Sequence, residues 1–285
     1  MARVEDFGTY GVWLWESAWT PGVAAVAERL GYTTLWIGGS PDAELTSVEA
    51  VLNETERVVV ATGIVNIWQA DPVEVAASYL RITDQHPGRF VVGIGSGHRE
   101  ATPERVRPLA ALGRYLDVFD AEGVPPEQRL LAALGDKTLA LAAERTLGAH
   151  PYLTTPAHTA HAKEIVGERL LAPELKVSLA ATPDEARATA RAFLDRYLRL
   201  ENYVGALKRF GASEADVSDG GSDALIDLVA ANPTAAAAAA GIGRHLAAGA
   251  THVGVQPLGA DILGSLERVA DAVGLTDGAL GVSSS

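Results

Sequence analysis

A strand-like stretch followed by a helical pattern recurs eight times along this chain, and that alternation restricts the fold more than any single motif. Tyr10–Trp15 leads into a helix over 21–30, 34–37 into one over 45–53, 58–67 into one over 72–83, and 90–94 into one over 108–119. Strands at 130–134, 149–153 and 177–180 follow, each trailed by a helix, over 137–147, 157–166 and 184–200. An eighth strand, 252–256, precedes a helix over 262–273. Strands spaced by helices of this length pair in parallel, and their density in Val, Ile and Leu suits strands covered on both faces. Eight units in 285 residues, without a bipartite break, favour an α/β fold closed as a (β/α)8 TIM barrel over a doubly wound open sheet.

The expected organisation is one barrel domain over 1–275 with a flexible C-terminal tail over 276–285. Roughly 200–250 form a helical insertion before the eighth strand, in which Asn232, Pro233, Thr234 and the alanines from Ala235 to Ala240 read as a well-capped, tightly packing helix.

Composition removes several function classes. A net charge of −13 disfavours nucleic-acid partners, whose affinity comes from neutralising phosphates with Lys and Arg. The absence of cysteine excludes thiolate metal sites and cysteine nucleophiles. No run approaches a bilayer span and the first residues lack an apolar leader core, so the expected location is cytoplasmic. The chain has seven histidines, but no zinc-protease arrangement, G-x-S-x-G elbow or Walker lysine accompanies them. A borrowed organic cofactor is then the economical source of reactivity.

Barrel chemistry sits where strands end, and three strand ends are distinctive. In 88–98, Gly93, Gly95 and Gly97 recur at every second residue and share one face, an open wall for a ring system, with Ser96 and His98 beside it; a ligand-free βα turn fits the same residues. Gly135, Asp136, Lys137 and Thr138 run from a strand into a helix, where free N–H groups seat a phosphate or carboxylate; Asp136 also suits an N-cap. At the third strand, Gly63, Ile64, Asn66, Trp68 and Gln69 offer donors, acceptors and a stacking surface, or cap a loop. Trp13 and Trp15 share a face of the first strand, for packing or for lining the mouth.

In this order the motifs resemble the luciferase-like monooxygenase superfamily, and within it the coenzyme F420-dependent oxidoreductases. The resemblance rests on Leu35-Trp36-Ile37-Gly38-Gly39-Ser40, Ala61-Thr62-Gly63-Ile64, 89–97 and Gly148-Ala149-His150-Pro151-Tyr152. It implies a homodimer acting on a small organic substrate by hydride transfer to or from F420, with an FMN-dependent monooxygenase or a cofactor binder with degenerate catalysis as alternatives. It places the ring against a bulge of the third strand, often a non-prolyl cis peptide, here Gly63–Ile64, and its phosphate and ribityl contacts at Gly95, Ser96, Gly97, His98 and at Gly135 to Thr138. Family members often carry an acid or histidine after the second strand. This chain has Gly38, Gly39 and Ser40 there, which leaves His98 as the candidate general acid.

Overall fold

The computed structural model describes residues 3–97, 107–230 and 233–275. The first half runs β1 (Tyr10–Trp15), α1 (Val23–Arg29), β2 (Thr34–Gly38), α2 (Thr46–Asn53), β3 (Val59–Gly63), β4 (Val65–Asn66), α3 (Pro72–Gln85), β5 (Phe90–Gly95) and α4 (Pro108–Ala121). The second runs β6 (Arg129–Leu131), α5 (Asp136–Arg145), β7 (Gly148–Ala149), α6 (Pro156–Val166), β8 (Leu170–Leu171) and β9 (Glu174–Val177). Then come α7 (Pro183–Leu194), α8 (Glu201–Arg209), α9 (Glu214–Val217), α10 (Asp223–Ala230), α11 (Ala235–Ala247), β10 (Val253–Pro257) and α12 (Ile262–Ala272). No single helix among the described residues is long and apolar enough to cross a membrane.

All strand pairs are parallel, in the order β8-β7-β6-β5-β3-β2-β1-β10-β9, with β4 beside β5. The two ends of that path, β8 and β9, are separated in the chain only by Ala172 and Pro173, so the sheet curls round on itself. Backbone bonds carry the pairing through the interruption: Glu174 N donates to Pro151 O at 3.0 Å and Gly254 N to Pro173 O at 3.0 Å. Proline cannot supply a ladder donor, which accounts for the break.

Side-chain alternation sorts the core into two layers. Inside the curl, Phe7, Trp13, Trp36, Val59, Ala61, Val91, Leu130 and Leu170 pack together. Outside it, Val12, Leu14, Leu35, Ile37, Val60, Val92 and Ile94 pack against the helices. Proline at the first helical position starts α3, α4, α6 and α7, and Asp71, Thr155 and Thr182 cap three of them through their side chains.

Two expectations change. The strand expected at 177–180 lies earlier, because its inward residues are Glu174 and Lys176 rather than apolar ones. The alanine-rich helix, capped by Thr234, is not part of an excursion: α11 packs between α6 and α12, in the outer ring, against β9 and β10. The excursion is instead α7 to α10, which has its own apolar cluster around Leu194, Tyr197, Tyr203, Leu207, Ile226 and Val229. Arg187 grips Asp227 through two bonds of 2.9 and 2.7 Å, fastening α7 to α10.

Candidate active site

At the C-terminal ends of the strands lies a cavity of about 730 Å³, within the range of small-molecule and cofactor sites. Its floor and walls come from β1, the β3–β4 bulge, the segments after β2, β5, β6 and β7, and the excursion.

Gly63, Ile64, Asn66, Ser96, Gly97, Gly135 and Thr138 all line it, with Trp13, Trp15 and Gln69. The Gly63–Ile64 peptide bond is cis. A Cβ on Gly63 would fall 2.7 Å from Trp13 Nε1 and 3.1 Å from His150 Nε2, so only glycine keeps this wall flat. Gly97 has φ +54°, and a Cβ there would meet Asn66 Nδ2 at 2.8 Å. Asn66 Oδ1 accepts from Trp68 N, and Trp68 Nε1 donates to Ser96 O at 3.0 Å, which locks the two strand ends together.

Other marked residues lie off the wall. Gly93 and Gly95 are covered: a Cβ would reach Thr62 O at 2.0 Å from Gly93 and Ile64 Cγ1 at 2.9 Å from Gly95, so these glycines admit the bulge rather than a ring. The helix cap at α5 is Gly135, and Asp136 is the first helical residue. Its carboxylate takes two bonds from Arg209 (2.8 and 2.9 Å) and contacts His161 Nε2 at 2.9 Å; these partners hold its pKa well below the usual carboxylate range. Lys137 is exposed, outside the lining. His98 lies outside the described residues.

The departure after β2 has a packing reason. A Cβ on Gly38 would sit 2.2 Å from Trp13 Cη2 and Cζ2. The indole fills the room that a proton donor at that strand end would use, while Gly39 and Ser40, both at positive φ, turn the chain along the cavity rim.

His150, Tyr152, Arg196, Tyr197, Leu200, Asn202 and Tyr203, with Ala132, Ala133 and Leu134 after β6, complete the lining. His150 and Tyr152 directly follow β7, a strand-end position that marks them; Tyr197 and Tyr203 come from the distant excursion and carry no local signal. His150 stacks on Trp36 at 4.1 Å. Its Nδ1 donates to Ala172 O at 2.7 Å, which leaves the lone pair on Nε2, an atom buried without a partner. Burial pulls its pKa down to about 4, so the ring is neutral near pH 7. Beneath Tyr152, the Lys176 ammonium lies 3.8 Å from the ring centre and 2.6 Å from Glu174 Oε2. Burial pushes Glu174 up and Lys176 down, and their contact opposes both shifts. The Tyr152 hydroxyl donates to Gln256 Oε1 at 2.8 Å, and burial raises its pKa well above the usual value.

Among the described lining residues there is no carboxylate, lysine or cysteine, and no cluster of metal-ligating side chains occurs among the described residues. The cavity offers flat walls, hydrogen-bonding amides and hydroxyls, a neutral imidazole and, at its border, the Arg196 guanidinium.

Residues 19–109 match the family model of luciferase-like monooxygenases. No curated protein matches the chain. Among solved structures, it is similar to an F420-dependent secondary alcohol dehydrogenase in complex with an F420-acetone adduct, at 14% identity and TM-score 0.74, covering 94% of this chain and 99% of that one. It is similar to the coenzyme F420-dependent tetrahydromethanopterin reductase of Methanopyrus kandleri, at 18% identity and TM-score 0.70, covering 93% and 98%. A third is the FMN-bound oxygenating constituent of 3,6-diketocamphane monooxygenase from Pseudomonas putida, at 15% identity and TM-score 0.67, covering 94% and 96%. Identities this low speak for the fold. In sequence over residues 19–109, and in fold over nearly its whole length, the chain resembles the luciferase-like monooxygenases.

Proposed function

We propose that this chain is an F420-dependent oxidoreductase that transfers a hydride between coenzyme F420 and a small organic substrate. The frame for it is a (β/α)8 barrel over 1–275, with β3–β4 and β8–β9 each counted as one strand and α7–α10 inserted ahead of the eighth. Within its family resemblance, the observation that carries the reading is the makeup of the mouth cavity. It has the volume and flat wall for a tricyclic ring, yet its described lining holds no carboxylate, lysine or cysteine. When bound, the deazaflavin ring supplies a carbon that takes up or releases a hydride.

The chain's own residues then bind and orient. Gly63 and Ile64 back the ring, Asn66 and Ser96 hydrogen-bond along its edge, and the start of α5, where Gly135 and Thr138 line the cavity, turns its positive dipole end toward the anionic tail. His150 stays a hydrogen-bond acceptor because it is neutral. Tyr197, Leu200 and Tyr203 exclude water from above. His98 is the proposed general acid, and the resemblance extends the reading to a cytoplasmic homodimer.

The luciferase-like family match over 19–109 supports a second reading, an FMN-dependent monooxygenase, and the glycines after β2 support a third, a cofactor binder without turnover. Titration of the cofactor-free chain with F420 and with FMN, followed by ring fluorescence, separates the first two. F420 is expected to bind about tenfold or more tightly, a difference of about 1.4 kcal/mol. The reverse order favours the monooxygenase, and failure to bind either ring overturns all three.

A further inference from the structure

A second cavity, of about 410 Å³, lies at the same end of the sheet, between α7, the end of β10 and the start of α12. Leu14, Phe193, Pro257, Leu258 and Ile262 give it apolar walls. Trp15 and Arg196 line both cavities and so form the partition between them.

Arg196 is the charged group of this smaller cavity. Its guanidinium lies 4.6 Å from the ring centre of Trp15, 4.7 Å from that of Tyr197 and 5.0 Å from that of Phe193. It also donates to the Tyr197 hydroxyl at 3.0 Å. Contact with three rings and with the Tyr197 hydroxyl orients the guanidinium of this exposed residue. Among the described residues no carboxylate pairs with it; the neighbouring Asp195 is taken by Arg199 at 2.8 Å. In a chain of net charge −13, an exposed cation held over aromatic rings, without a carboxylate partner among the described residues and beside an apolar hollow, is an anion-recognising arrangement.

The chemistry selects among anions. Barrels commonly bind phosphate at the loops after the last strands, using a helix N-terminus. Here the Asp261 carboxylate occupies that end of α12, accepting from Gly264 N at 3.0 Å and from Arg268 at 3.2 Å, and so fills the place a phosphate would take. The walls suit a hydrocarbon body instead.

We propose that the smaller cavity binds an amphiphilic carboxylate, its apolar body between Phe193, Leu258 and Ile262 and its carboxylate on Arg196, at the border of the larger cavity. This site does not depend on which ring the larger cavity holds.

Isothermal titration of the full-length, cofactor-free chain with octanoate, octanol and inorganic phosphate tests it. Octanoate is expected to bind one to one, about tenfold or more tightly than octanol, and phosphate not to compete. Arg196→Gln should remove that advantage and leave octanol binding unchanged. Because loss of the stack can loosen α7, a second variant fills the hollow instead: Ala192→Trp, at an exposed lining position of α7, should abolish binding of both amphiphiles with an unchanged unfolding curve. Absence of octanoate binding, equal affinity for octanoate and octanol, unchanged octanoate binding in either variant, or competition by phosphate overturns the proposal.

Discussion

The indole of Trp13 stands where a side chain on Gly38 would have to go: a Cβ there would lie 2.2 Å from two of its ring carbons. Both residues are buried inside the curl of the sheet, where a rigid ring cannot give way. Gly38→Ala should therefore cost about 1–3 kcal/mol of stability. The double variant Gly38→Ala/Trp13→Leu should lose less than the sum of the single changes, because the smaller side chain removes the clash. Urea unfolding of the four proteins measures both.

The Glu174–Lys176 pair gives a second test. Both side chains are fully buried, and Lys176 Nζ lies 2.6 Å from Glu174 Oε2. Removing one partner strands a charge in the interior. Lys176→Met should destabilise by about 3–5 kcal/mol, and Glu174→Gln added to it should recover most of that loss. Equal unfolding midpoints for the single and double variants would contradict this.

Stability should fall on mild acidification. Burial holds His150, His245 and His252 at about 4, below the ordinary 6.5. As pH falls through 6.5 the unfolded chain takes up protons that the folded chain refuses until about 4. The histidine contribution is therefore complete above 6.5 and is lost between there and 4, at up to about 1.4 kcal/mol per pH unit for each residue. Unfolding free energies between about pH 7 and pH 5 give the slope, and His245→Asn should reduce it by one histidine's share.

Asp136 ties α8, through Arg209, to α5. The pairing depresses its pKa, so the link is present above the unfolded carboxylate range and fails only in strong acid. Asp136→Asn should raise amide hydrogen exchange over Glu201–Arg209 while the global unfolding midpoint barely moves, as for other exposed ion pairs. Unchanged exchange in α8 would show that apolar packing alone holds the excursion.

How much of this was legible in the sequence follows from what each feature depends on. Strands such as β1, β2 and β5 are dominated by apolar residues and flanked by breakers, so hydrophobic runs locate them. The segment from Leu170 to Val177 escapes that reading because Pro173 interrupts it and the charges of Glu174 and Lys176 point inward. An alanine-rich helix carries the same pattern in a barrel wall as in an excursion, and only its neighbours α6 and α12 place α11. The cavity residues at strand ends, Gly63, Asn66 and Gly97, could be marked because strand direction fixes where they lie. Orientation within the first turn of α5 could not, and there Thr138 faces the cavity while Asp136 turns to Arg209. Tyr197 and Tyr203 reach the site through tertiary packing alone.

The proposed function puts a deazaflavin ring in the mouth cavity, against Gly63 and Ile64. A crystal structure of the chain soaked with F420 measures it directly. The expected density places the ring on that wall, with its tail running toward Gly135 and Thr138. A ring bound elsewhere on the molecule, or a fully ordered cavity left without one at saturating F420, would contradict the claim.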